Sequence, residues 1–180
     1  FALDETGQER YRKALDFVMG RLRTHPRCRC GSFWHKTIYP NQIWLDGLYM
    51  AQPFYLEYEL RFNALRSLPD ILLQFENVRR LLFNADKRLF YHGYDEARVQ
   101  PWCDPVTGCS PNFWMRSVGW YLMALADCHA LVRDADAAAA ARLAEMLAEA
   151  ADGLLRYRDA RTGLFYQIID RADVPSNYTE

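Results

Sequence analysis

Apolar side chains recur every three or four positions along five stretches of this 180-residue chain, a period that suits helices and not sheets. Tyr11, Leu15, Val18 and Leu22 mark the first, which His25-Pro26 ends. A second helix is expected over about Gln42 to Tyr58. A third is expected over about Asp70 to Phe83, where Ile71, Phe75, Val78 and Leu82 keep the period after the Pro69-Asp70 turn. The fourth, about Asn112 to Val132, is apolar all round, as a helix buried on more than one side would be. The fifth runs from Asp136 to Tyr157 through Leu143, Leu147, Ala150 and Leu154 on an alanine-rich stretch of high helix propensity. Only Leu89 to His92 and Leu164 to Ile168 look extended. An all-α fold in one domain follows from this pattern and length.

A phrase also recurs: Gly31-Ser32-Phe33-Trp34-His35, then Arg88-Leu89-Phe90-Tyr91-His92, then Gly163-Leu164-Phe165-Tyr166-Gln167. Two helix starts follow such loops, Trp44 to Ala51 and Val118 to Leu125. Repetition of this kind points to an array of helical hairpins with the aromatic loops gathered at one end, because one hairpin cannot bury its own apolar face. The residues alone leave open whether those rings line a groove or only fill hairpin ends.

Composition then removes function classes. With 22 basic against 23 acidic residues, the net charge of -1 supplies no field for a polyanion or an anionic membrane, so neither nucleic acid nor membrane is an expected partner. No apolar run is long enough to span a bilayer and the given chain opens Phe1-Ala2-Leu3-Asp4-Glu5 without a charged-then-apolar leader, so a soluble protein is expected, cytoplasmic or secreted, with any export signal lying outside these residues. The aromatic content of 14% is the one excess, and rings serve either as core or as sugar-stacking platforms. Five cysteines are an odd number, which weakens a disulfide framework; a Cys103–Cys109 bridge stays open. Cys28-Arg29-Cys30 lacks the two-residue gap of zinc-ligand pairs, so no metal and no cofactor are expected. Neither a Gly-x-Ser-x-Gly elbow nor a phosphate-cradling loop is found, which disfavours serine acyl transfer and nucleotide hydrolysis.

Three clusters can carry chemistry. Asp46 is flanked by bulky apolar residues in Gln42 to Met50, and is either a helix cap or an acid whose neighbours favour its protonated form. His92-Gly93-Tyr94-Asp95-Glu96 crowds an imidazole, a phenol and two acids into a loop, suited to a polar ligand or to a self-bonded turn, and His35 lies in the matching earlier loop. Arg116 and Trp120, four apart, share one side of a helix, where a guanidinium and an indole suit an acidic sugar or an ion pair and a core ring.

Three segments carry a family resemblance. They are Phe33-Trp34-His35-Lys36 with Ile38 through Phe54, Tyr91 through Glu96, and Ser110 through Arg116 with Gly119-Trp120. Together they closely resemble the unsaturated rhamnogalacturonyl hydrolases of glycoside hydrolase family 105, and the Trp44-Leu45-Asp46-Gly47-Leu48-Tyr49-Met50 block is the most specific part.

That resemblance implies an (α/α)6 barrel of helical hairpins with the site at one mouth. It also implies removal of a 4,5-unsaturated uronic acid from the non-reducing end of pectin-derived oligosaccharides by hydration of the double bond. Carried over by motif, Asp46 would be the general acid and base; His35, Trp44, Met50, His92, Arg116 and Trp120 would contact the sugar, with Asp95 in reserve. The partner implied is a small oligosaccharide with a terminal unsaturated uronic acid. The chain departs from the family's Trp-Gly-Arg-Gly-Asn-Gly-Trp at Trp114-Met115-Arg116-Ser117-Val118-Gly119-Trp120. Family members are longer and carry a second site aspartate in an earlier hairpin, so residues 1–180 are expected to be part of a single barrel domain, with the ring incomplete. Two alternatives stand beside this: a non-catalytic helical scaffold that binds glycan or protein, and a hydrolase of saturated glycans using Asp46 and Asp95.

Overall fold

The computed structural model describes residues 1–175 and 177. Among these, helices α1 (Ala2–Thr6) and α2 (Glu9–Arg23) come first, followed by strand β1 (Gln42–Trp44) running directly into α3 (Leu45–Phe62). Helix α4 (Leu68–Leu82), strands β2 (Phe83–Asn84), β3 (Leu89–Phe90) and β4 (Gly93–Asp95), and helices α5 (Met115–Val132) and α6 (Ala137–Leu155) complete the order. The all-α expectation is met, with two small antiparallel pairs as trim: β1 with β4 and β2 with β3. None of the described helices is long and apolar enough to cross a membrane.

Helix ends follow local chemistry. Asp136 caps α6 by accepting the Ala139 N–H at 2.9 Å, and Pro69 sits in the first turn of α4, where a missing N–H does no harm. Helix α1 ends on Gly7 in the left-handed region at φ 62°. Two expected boundaries move. The helix expected from about Gln42 starts at Leu45, because Gln42, Ile43 and Trp44 are held extended opposite Asp95, Tyr94 and Gly93. The helix expected from about Asn112 starts at Met115, because Trp114 forms a bridge with Ile168 and Phe113 accepts the Ile169 N–H at 2.9 Å. Leu164 to Ile168 is a loop arm that holds only isolated bridges, among them Ile168 with Trp114, and not a strand, whereas Leu89–Phe90 is paired.

Helix α3 packs along α5, α5 along α6, and α3 along α4. Leu45, Leu56, Ile71, Phe75, Phe90, Tyr121, Leu125, Leu143 and Met146 are fully enclosed between them. The Tyr121 ring packs against Phe90 at 4.9 Å and Phe75 at 6.3 Å, which ties α5 to α4 and β3. Two forked ion pairs join α4 to α6 at the surface, Arg79 to Glu149 at 2.6 and 3.0 Å, and Arg142 to Glu76 with one arm at 2.8 Å.

All five cysteines are free thiols, so the Cys103–Cys109 bridge left open by the sequence is not formed. Among the described residues, no three His, Cys, Asp or Glu side chains gather in a way that could hold a metal ion.

One close approach is testable. The α6 glycine Gly153 faces the carbonyl of Arg88, itself at φ 54° in the β2–β3 turn, and a Cβ there would overlap that oxygen. Gly153→Ala is expected to destabilise the fold by about 1–3 kcal/mol in chemical denaturation. Gly20→Ala, in open space on α2, is expected to stabilise it by about 0.5–1 kcal/mol. Equal effects of one sign would contradict the packing described.

Candidate active site

Two main-chain bonds set the site's position. The Leu45 N–H, first in α3, donates to the His92 carbonyl at 3.1 Å, and the Met115 N–H, first in α5, donates to the Gln167 carbonyl at 2.8 Å. His92 and Gln167 occupy the same place in the repeated phrase, so each aromatic loop captures the first amide of a neighbouring long helix. Both helices therefore begin at one end of the molecule, and the residues of their first turns meet there.

Asp46 is the meeting point. Its side chain is 13% exposed. Oδ2 accepts the Ser117 hydroxyl at 2.6 Å, and Oδ1 faces the Arg116 guanidinium at 3.3 and 3.4 Å. A capping role is thereby excluded: Asp46 lies inside the first turn, the cap position is Trp44, and the carboxylate reaches across to α5 instead of to its own helix amides.

An aromatic wall surrounds this pair. His35 stacks on Trp44 with ring centres 4.8 Å apart and planes 5° apart, and Tyr39 joins the stack 5.6 Å from Trp44. His92 meets Trp44 edge-on at 6.2 Å and Trp114 at 5.9 Å, and the Arg116 guanidinium lies 5.1 Å from the centre of the Trp114 ring. Trp44 is fixed by donating its Nε1–H to the Gln42 side-chain oxygen at 3.0 Å. Glycine at position 47 is needed for this arrangement, since a Cβ would press on His35 Nδ1 at 3.2 Å.

Both imidazoles are held neutral. Burial lowers the His35 pKa below the ordinary 6.5, and the Asp46 charge only partly offsets it. Burial lowers that of His92 also, against the Asn112 carbonyl, which favours the charged ring. The His92 Nδ1 lies 2.9 Å from that carbonyl, which can only accept, so Nδ1 carries the proton and Nε2 is the acceptor. His35 Nδ1 is buried with no hydrogen-bond partner among the described residues.

The structure thus brings together Asp46, His35, Trp44, His92 and Arg116. Met50 is 58% exposed one turn along α3, beside a cavity of about 180 Å³ that His35, Trp44 and Gly47 also line. Trp120 shares a side of α5 with Arg116, and its ring packs on Tyr49 at 4.7 Å, closing the α3–α5 seam a turn below Asp46. Asp95 does not join them. It is 0% exposed, and its carboxylate accepts the N–H groups of Ala97, Val99 and Gln100, so it anchors its own loop. Two residues that the sequence reading did not single out belong here. Trp114 stood inside a quoted motif, but nothing in the sequence marked Ser117 as the hydroxyl that would bind Asp46.

A model of the family described as Glycosyl Hydrolase Family 88 matches residues 1–180. The chain belongs to Glycosyl Hydrolase Family 88. A Clostridium acetobutylicum ATCC 824 glycoside hydrolase from family 105 superposes on this family 88 chain with a TM-score of 0.94 at 40% identity, covering 99% of this chain and 49% of that one. The motif resemblance to family 105 is upheld by that likeness. An unsaturated glucuronyl hydrolase from Bacillus sp. GL1, responsible for the degradation of glycosaminoglycan, shares the fold at 20% identity with a TM-score of 0.65, over 99% of this chain and 48% of that one. Among curated proteins, the 24.9 kDa protein in the picA locus of Rhizobium radiobacter is 38% identical over 131 residues, 73% of this chain and 54% of that protein. The chain spans about half the length of the relatives it matches. Its hairpins form part of the family's (α/α)6 barrel, as an incomplete ring.

The lowered imidazole pKa values fix a pH dependence. An unfolded chain takes up protons at His35 and His92 near the ordinary 6.5 while the folded chain does not, so their contribution to stability is complete above 6.5 and is lost as the pH falls below it. Denaturation midpoints are expected to fall between about pH 7 and about pH 5, and the two ring C–H resonances to titrate below 6.5. Titration of either ring above 6.5 would contradict the buried neutral state.

Proposed function

We propose that the protein carrying this segment is an unsaturated glycuronyl hydrolase, with Asp46 as its acid and base and rhamnogalacturonan-type, pectin-derived oligosaccharides as its substrates. The observation that carries the reading is the cross-helix contact of Asp46. The Asp46 carboxylate stands among neutral imidazoles and indoles, with the half-exposed Arg116 guanidinium at 3.3 Å.

The substrate's own carboxylate is the group that a guanidinium takes best, through two parallel bonds. A uronate that engages Arg116 draws it off Asp46 Oδ1 and leaves that oxygen facing the sugar, while Ser117 keeps Oδ2 in place. Asp46 then gives a proton to C4 of the C4=C5 enol ether, and the positive charge that forms is shared between C5 and the ring oxygen. Water adds at C5 and yields its proton to the same carboxylate. The hemiketal opens by breaking the bond from C5 to the ring oxygen, and the C1 hemiacetal so formed releases the remaining sugar as an alcohol. One water is consumed in all. His92 Nε2, as an acceptor, suits a sugar hydroxyl, and Trp44 and Trp114 offer apolar faces to the ring.

A saturated-glycan hydrolase needs a second free carboxyl near the first. Asp95 is already saturated by three backbone N–H groups. A non-catalytic scaffold that binds glycan or protein predicts saturable sugar binding with the double bond left intact, which the absorbance assay distinguishes from hydration.

In the full-length protein, Asp46→Asn is expected to lower kcat about 10²–10⁴-fold, followed as loss of the double bond's ultraviolet absorbance. Arg116→Gln is expected to raise KM more than it lowers kcat. Undiminished turnover by Asp46→Asn rejects Asp46 as the acid.

A further inference from the structure

Away from the site, residues 27–33 form a small hairpin. Arg27 and Phe33 bridge across it, Cys28 N–H donates to the Ser32 carbonyl at 2.8 Å, and Gly31 N–H donates back to the Cys28 carbonyl at 2.9 Å. Gly31 takes the left-handed φ of 92° that closes a three-residue loop of this kind. Cys28 and Cys30 are thus the first and third residues of one tight turn, a placement inside the roughly 4.4–6.8 Å Cα separation that a disulfide spans. Both side chains leave this one turn.

The pair is asymmetric. Cys28 is buried at 4% exposure, and Cys30 is the one cysteine of the five that is not buried. The neighbouring Cys28 thiol draws the Cys30 thiol below its ordinary value, helped by the Ser32 N–H and hydroxyl, against burial and the nearby Glu96 carboxylate. The Cys30 thiol and burial in turn hold the Cys28 thiol high. The turn is also braced on its far side: Glu96 accepts the Arg29 N–H at 2.8 Å and the Cys30 N–H at 3.3 Å, and Asn77 donates to the Cys30 carbonyl at 2.9 Å. An accessible thiolate with a resolving thiol fixed behind it is the arrangement of a redox-active pair.

We propose that Cys28 and Cys30 are a reversible oxidation site for hydroperoxides. The Cys30 thiolate attacks the terminal peroxide oxygen, the O–O bond breaks, and the departing oxygen takes up a proton and leaves as water from hydrogen peroxide or as the alcohol from an organic hydroperoxide, with Cys30 left as the sulfenic acid. Cys28 sulfur then attacks the Cys30 sulfur, the S–O bond breaks, and the Cys28 proton leaves with the hydroxide as water. The two thiols are oxidised by two electrons and the peroxide is reduced by two.

The test treats the folded full-length protein with hydrogen peroxide, then denatures it in N-ethylmaleimide for peptide mass spectrometry. The expected product is a peptide holding Cys28 and Cys30, two hydrogens lighter, unalkylated and restored by dithiothreitol, with Cys109 and Cys128 alkylated. Loss of Cys30 should run at least about tenfold faster than loss of Cys128. In Cys28→Ser the reaction should stop at a Cys30 sulfenic acid that dimedone captures. Oxidation of wild-type Cys30 to sulfinic acid while Cys28 stays alkylatable, or equal rates at Cys30 and Cys128, would overturn the proposal.

Discussion

Everything at the site depends on where α3 and α5 begin, and two main-chain bonds decide that. The carbonyls of His92 and Gln167 hold the first amides of the two helices. Each bond satisfies a donor that a helix start otherwise leaves open, and each comes from an aromatic loop belonging to a later part of the chain. Because both helices start at the same end, Asp46 in the first turn of α3 meets Arg116 and Ser117 in the first turn of α5. The chemistry is therefore a by-product of hairpin stacking: the loops that order the ring also put the carboxylate, the cation and the imidazoles in one place.

The aromatic excess divides between two duties. Phe75, Phe90 and Tyr121 are core, their rings packed at a tilt between α4, β3 and α5. Trp44, Trp114, Tyr39 and the two histidines make a wall, and their mutual contacts fix the rings before any ligand arrives. A wall ordered in advance spends little entropy on binding. Burial in that wall also keeps His35 and His92 uncharged, so the charges that act on them are those of Asp46, Arg116 and, at His35, Lys36.

Much of this was legible in the sequence, and the misses have physical causes. The five helices were readable from long apolar runs, striped at helical period in most and apolar all round over Asn112 to Val132, and the repeated phrase announced the hairpins. Strand β1 was not, since three residues are too few to show alternation and Ile43, Trp44, Leu45 and Leu48 also satisfy a helical period. The partner β4 lay inside a loop dense in polar groups, which drew attention to ligands and away from pairing. Asp95 lies in that loop: an acid there reads as available, and only the fold shows its oxygens accepting backbone amides. Ser117 failed in the opposite sense, because a lone serine gives no signal until another helix brings an acid 2.6 Å from its hydroxyl. Asp46 itself carried two readings, cap and acid, that only its direction across the helix seam could separate.

The most direct measurement is the fate of the solvent proton at the sugar. Turnover of a terminally unsaturated oligosaccharide by the full-length protein in deuterium oxide, followed by NMR of the released acid, should place one deuterium at C4 during formation of the product. A product that keeps its C4=C5 double bond, or one cleaved with no deuterium delivered to C4, would contradict proton transfer to that carbon.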